Sequence, residues 1–241
     1  GARSVDENQS LSFRFSGSDP DASIPALSAV GLPTGASFVD SLNGAASFSW
    51  TPTFDQSGSY PVTFVASDGA LADSEIVTIT VTNVNRPPVL VPIGAKSVAE
   101  NALLSFRWSG SDPDATIPVL NAVGLPAGAS FVDSLNGAAS FSWTPTFDQS
   151  GSYPVTFIAS DGSLADSEVV TITVTNTNRP PVLDPIGAKS INENQLLAFR
   201  YTGSDPDATI PVLSAVGLTT GASFVDSLNG AASFSWKPTF D

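Results

Sequence analysis

The sequence predicts an all-β chain of sandwich domains repeated in tandem, and three observations carry that prediction. A block of text returns at fixed spacing: "GARSVDEN" starts at Gly1, "GAKSVAEN" at Gly94 and "GAKSINEN" at Gly187, 93 residues apart each time. Apolar residues alternate with polar ones at a period of two, the signature of half-buried strands, and no stretch shows the 3.6-residue period of a helix. Gly, Pro, Asn and Asp cluster between the alternating runs, where chain reversals are needed. A chain of 241 residues is therefore two full periods and part of a third rather than one large domain.

The first period reads element by element. "LSFRFSG" sets Leu11, Phe13 and Phe15 against Ser12, Arg14 and Ser16, a strand with one apolar face. "ALSAVGLP" follows and stops at a Pro-Thr-Gly turn. "GASFVDSLNGAASFSWTP" holds two short apolar runs around Asn43-Gly44, a dipeptide that accepts the positive φ angles of a tight hairpin. "YPVTFVAS" and "EIVTITVTN" are rich in β-branched and aromatic residues and supply the last two strands. With the segment seen later as "PPVLVPIG", each period holds about seven strands in roughly 90 to 100 residues, the count and spacing of an immunoglobulin-like sandwich. Pro33, Pro52 and Pro61 belong to edges and turns. The expected units are 1–86, 87–179 and 180–241, the third without the counterparts of the last two strands, so that the natural chain continues or another chain supplies them.

Composition removes most chemistry. With 9 Lys and Arg against 23 Asp and Glu the net charge is −14, which repels nucleic-acid phosphates and anionic membranes. There is no Cys, so no disulfide and no thiolate, and no His, which removes Ser-His-Asp, Cys-His and zinc-hydrolase sites together. No apolar run is long enough to cross a membrane. A carboxylate-pair glycosidase is the one hydrolytic class that needs neither His nor Cys, but Asp19 and Asp21 are too local for it. The expectation is that the chain is not an enzyme.

The recurring tryptophans Trp50, Trp143 and Trp236 are expected in the core, since an aromatic on an alternating strand is more often packing than a sugar platform. "FDQSGSY" resembles the Asp-x-Gly-x-Tyr turn of immunoglobulin domains, and the resemblance implies that Tyr60 and Tyr153 tie a strand end to nearby backbone through their hydroxyls. "SDPD", with Asp19 and Asp21, Asp112 and Asp114, and Asp205 and Asp207, reads first as a turn, because Asp accepts from amides two residues on and Pro presets φ. Asn8-Gln9-Ser10 matches a glycosylation acceptor, but its counterparts do not, and nothing is built on it.

The succession ENxxLxF, SDPD, FDQxGxY, ASDG, VTITVTNxN, RPPV resembles cadherin-type repeats and the related immunoglobulin-like repeats of large bacterial surface proteins, over essentially the whole chain. The resemblance implies calcium at the junctions, because Ca²⁺ takes six to eight oxygens and no single loop here supplies them. Carried over by position, the first junction draws on Glu7, Asp55, Asn83, Asn85, Asp112, Asp114 and Asp161; the second draws on Glu100, Asp148, Asn176, Asn178, Asp205 and Asp207. Two departures stand out. The linkers "NVNRPP" and "NTNRPP" carry Asn where a carboxylate is expected and Arg where another acid often sits, and Ser57 and Ser150 replace a second carboxylate. Fewer anionic oxygens and an added cation weaken calcium and favour one ion over three. A metal-free linker stiffened by Pro87-Pro88 and Pro180-Pro181 is the alternative.

The function expected from this reading is an extracellular or cell-surface structural module: a stalk, adhesin shaft or filament whose partners are neighbouring repeats or copies of itself. The alternative is an adhesion module that binds cell-surface glycans or proteins through many weak copies. Duplication favours the first, since Gly35–Phe64 recurs unchanged as Gly128–Phe157 and leaves no repeat a private site.

Overall fold

The computed structural model describes residues 1–240. In the first repeat the strands are β1 (Arg3–Asp6), β2 (Leu11–Ser16), β3 (Ala26–Val30), β4 (Ser37–Asp40), β5 (Ala45–Trp50), β6 (Gly58–Ser67) and β7 (Ala72–Thr82). They form two sheets, ordered β1-β7-β6-β3 and β2-β5-β4. Strand β1 runs parallel to β7, with Arg3 opposite Ile79 and Asp6 opposite Thr82, and every other pairing is antiparallel.

The second repeat repeats this plan with β8 (Val89–Leu90), β9 (Lys96–Ala99), β10 (Leu104–Ser111), β11 (Val119–Val123), β12 (Ser130–Asp133), β13 (Ala138–Trp143), β14 (Gly151–Ser160) and β15 (Ala165–Thr175). Its sheets are β12-β13-β10-β8 and β11-β14-β15-β9. In the third, β16 (Val182–Leu183), β17 (Leu197–Ser204), β18 (Ser223–Asp226) and β19 (Ala231–Trp236) form one sheet, β16-β17-β19-β18. Among the described residues there is no helix, and so none long and apolar enough to cross a membrane.

Alternation decides what each sandwich buries. In β5, Ala46, Phe48 and Trp50 point inward and are nearly inaccessible, and in β7 the inward set is Val77, Ile79 and Val81, leaving Ile76 outside. Phe13 lies opposite Phe48 in the ladder and stacks on it at 5.1 Å, and Phe64 from the other sheet meets Phe48 edge-on at 6.0 Å. Phe106, Phe141 and Phe157 reproduce the arrangement in the second repeat. Fully burying each such ring contributes roughly 1.5–3 kcal/mol.

The tryptophans are core residues, as expected: Trp50 and Trp143 are buried, edge-on to Tyr60 and Tyr153 at 4.9 Å. Their indole N–H groups donate to the carbonyls of Thr34 and Ala127. Trp236 makes the same bond to Thr220 but is only half-buried, because no second sheet covers it. Tyr60 and Tyr153 donate through their hydroxyls to the carbonyls of Gln56 and Gln149, four residues back.

One turn differs from expectation. In the β4–β5 hairpin the positive φ angles fall on Leu42 (57°) and Gly44 (76°), not on Asn43. Two short side chains fix the loop instead: Asp40 accepts from the Leu42 amide and Asn43 from the Ala45 amide. Pro61 lies within β6, a central strand, but opposite a point where β3 has already ended; β3 reaches only as far as Thr63. Its missing N–H therefore breaks no ladder on that side.

Candidate joint between repeats

The expected ligands lie at the ends of the sandwiches, where linker residues 83–88 lead from one repeat into the next without secondary structure. Glu7 follows β1, and its buried carboxylate accepts from the Val84 amide at 2.9 Å, just past β7. Glu100 does the same for the Thr177 amide at 2.8 Å. Each thereby ties the start of its own repeat to that repeat's exit. Asn8 and Asn101, next in sequence, adopt positive φ (59° and 58°), a conformation that Asn tolerates better than most residues. The Glu-Asn pair is thus one folding device.

The SDPD segments are turns. Asp112 Oδ1 accepts from the Asp114 amide at 2.7 Å, and Ala115 N–H returns to the Asp112 carbonyl; Asp19 and Asp205 repeat the pattern. In the β14–β15 turn, Asp161 Oδ1 accepts from the amides of Ser163 and Leu164, and its Oδ2 accepts from Asn85 Nδ2 of the linker at 2.8 Å. These bonds hold its carboxyl below the usual carboxylate range, the Leu164 amide most strongly.

The residue that gathers the joint is the linker arginine. Arg86 donates its amide to Asp114 Oδ2 (2.6 Å), its Nε to Asp114 Oδ1 (2.7 Å) and an Nη2 hydrogen to the Pro113 carbonyl (2.8 Å), all on the following repeat. Toward the preceding repeat it stands 3.4 Å from Asp55 Oδ1 and places its guanidinium 5.1 Å from the centre of the Phe54 ring. Arg179 repeats every contact, with Asp207 and Pro206 ahead and Asp148 and Phe147 behind. Asp114 and Asp207 are the buried ends, 7% and 4% exposed, whereas Asp55 and Asp148 are 85% and 84% exposed and add little in water. The arginine amide, more than any other contact, lowers both buried carboxyls, and the guanidinium adds to it against the opposing effect of burial.

Of the expected metal ligands, then, Asp55 and Asp114 converge on Arg86, Asp148 and Asp207 converge on Arg179, Asn85 meets Asp161, and Glu7 and Glu100 serve backbone amides. Asn83 and Asn176 are exposed, and Asn178 bonds only weakly, to the neighbouring Arg179 carbonyl at 3.4 Å. Glu7 Oε1, Glu100 Oε1 and Asp112 Oδ2 are buried without a partner. Among the described residues no three acidic side chains group closely enough to hold a metal ion. From the sequence alone the arginines count only as a charge against calcium. The signal for their role was present: Arg86 and Arg179 recur at the repeat period, as do the aspartates they meet.

Comparison with known proteins places this geometry in context. The four cadherin domains of protocadherin gamma B7 superpose with a TM-score of 0.54 at 16% identity, covering all of this chain and 66% of that one. PcdhgB3 domains 1–4 give 0.57 at 14% identity with the same coverage. These show the fold. Integrin beta-like protein C of Dictyostelium discoideum is 30% identical over 207 residues, and integrin beta-like protein B 25% over 251, so the chain spans only 10% and 13% of those proteins. The family described as "Putative Ig domain" matches residues 2–82 and 87–175. With well over half its residues inside those two matches, the chain belongs to this immunoglobulin-domain family.

Proposed function

We propose that the chain is a non-enzymatic, extracellular structural module in which immunoglobulin-like sandwiches are set in series to hold adhesive or anchoring parts of a larger protein at a distance. The observation that carries this reading is that the two joints are built alike, Arg86 and Arg179 each reaching back to one repeat and forward to the next. Repetition supports it, since the segment Gly35–Phe64 is copied unchanged as Gly128–Phe157. So does similarity to proteins whose names are integrin beta-like, an adhesion-type setting.

Small-angle scattering tests it. Sandwiches about ten residues deep, at ~3.3 Å per residue, give units slightly over 30 Å, so two and a half in line reach roughly 80 Å. A compact particle of this length in residues has a radius of gyration of about 18 Å, and a value near that would refute the series arrangement.

A second reading keeps calcium at the joints. It has in its favour the unpartnered buried oxygens of Glu7, Glu100 and Asp112. Titration of the chain with calcium, read by calorimetry and melting temperature, separates it from a joint that needs no ion.

A further inference from the structure

We propose that Arg86 and Arg179 are tethered cations that take the place of a metal ion at the joints, so that successive repeats stay aligned without calcium. The inference rests on the series reading above and deepens it, since it names what holds the series together.

The first support is the position of the charge. The guanidinium lies between the SDPD turn of one repeat and the Phe54-Asp55 corner of the other, in contact with Asp114 and Asp55, two of the carboxylates that the resemblance assigns to calcium. Its Nε donates to one oxygen of the nearly buried Asp114 carboxylate, Oδ1, with Nη2 also 2.7 Å from that atom, and the arginine's own amide donates to the other, Oδ2, while Nη2 donates to the Pro113 carbonyl. Such geometry suits arginine, whose planar fork stays charged at any ordinary pH and sheds water more readily than an ammonium group.

The second support is an internal control. Asp21 stands in the first repeat where Asp114 and Asp207 stand in the others; the position equivalent to the linker arginine falls before Gly1, and among the described residues Asp21 is exposed and accepts no guanidinium. The turn is unchanged: Asp19 still accepts from the Asp21 amide at 2.7 Å. The arginine is therefore not required to fold the turn. What it adds is the crossing from one repeat to the next.

The third support is what remains for an ion. Asp114 and Asp55 face the guanidinium, Asp161 is shared among two amides and Asn85, and the bound oxygen of Glu7 serves Val84. A divalent ion brought to the remaining oxygens would meet the fixed positive charge of the arginine beside it, and like charges at close range repel strongly where water is scarce.

The experiment uses the full chain and exploits its lack of cysteine. Spin labels on Ser41→Cys and Ser134→Cys, exposed and equivalent positions of the first two repeats, report the distance distribution across the first joint by pulsed electron resonance. The expected result is one narrow distribution, the same in chelator and in millimolar calcium. Arg86→Gln broadens it while the melting temperature of the repeats holds, Arg86→Lys restores it only partly because the fork is lost, and Asp114→Asn broadens it as a second route to the same break. Asp21→Asn leaves it unchanged. If chelator broadens the distribution of the unmodified chain, or if calcium narrows it, a metal holds the joint and the proposal fails while the series arrangement stands. If Arg86→Gln and Asp114→Asn both leave the distribution narrow in chelator, the arginine is not the link and the proposal fails as well. A compact particle by scattering, by contrast, would remove the series reading itself.

Discussion

Leu42, Leu135 and Leu228 occupy the left-handed region at φ 57°, 57° and 55°, although each side chain is more than two-thirds exposed and gains no packing there. A branched residue in that conformation costs about 1–2 kcal/mol relative to the right-handed one. Replacing Leu42 and Leu135 by Asn is therefore expected to raise the unfolding free energy of each repeat by about 0.5–1 kcal/mol, measured by urea denaturation. Nothing in the structure explains why leucine stands there. Reading the sequence located this turn through Asn43-Gly44 and misassigned the strained residue, because the pattern of turn formers marks where a chain reverses but not which φ each residue takes. The tyrosine corner was legible outright, since one hydroxyl and a backbone carbonyl four residues back need only local geometry. Tyr153→Phe is expected to destabilise the second repeat by about 1 kcal/mol, seen as a lower urea midpoint at unchanged slope.

At the scale of elements, the linker's far half is already part of the next repeat. Leu90 donates its amide to Asp166, and the amides of Ile93 and Gly94 donate to the two carboxylate oxygens of Glu168, so two acidic residues on β15 anchor the strand that enters. Glu168→Ala leaves two amides without that partner and is expected to cost about 1–2 kcal/mol in the second repeat, checked by a local loss of amide-exchange protection around residues 89–94. The acidic pair in "ADSEV" drew no notice in the sequence because its partners lie about 75 residues away. Strands were read well where alternation is strong, as in β2, β5 and β7. They were read less well where pairing alone makes them: residues 212–216, "VLSAV", are not a strand in the third repeat, though their counterparts are β3 and β11. Their sequence pattern is the same. What they lack is the neighbour that β6 and β14 provide.

At the scale of the whole molecule the joints make alignment depend on acid. Asp114 and Asp207 have their carboxyls lowered by the linker arginine, so their contribution is complete above the ordinary aspartate value and is lost as pH falls through the depressed ones. Around Asp114 stand Arg86, Asp55, Asp112 and Asp161, and Asp161 opposes the lowering. Scattering profiles are expected to hold steady from neutral to mildly acidic solution and to report bending only in strong acid. Salt is expected to matter less than for surface pairs, because the carboxylates that carry the link are almost wholly buried. The parallel pairing of β1 with β7 has a different kind of consequence. The first strand of a repeat finds its partner only after some seventy more residues have been made, so a chain emerging from a ribosome or a secretion channel leaves each repeat half assembled until its last strand arrives. Completion then passes down the chain one unit at a time, and each unit must meet the loop-closure cost of that first-to-last contact before it is whole.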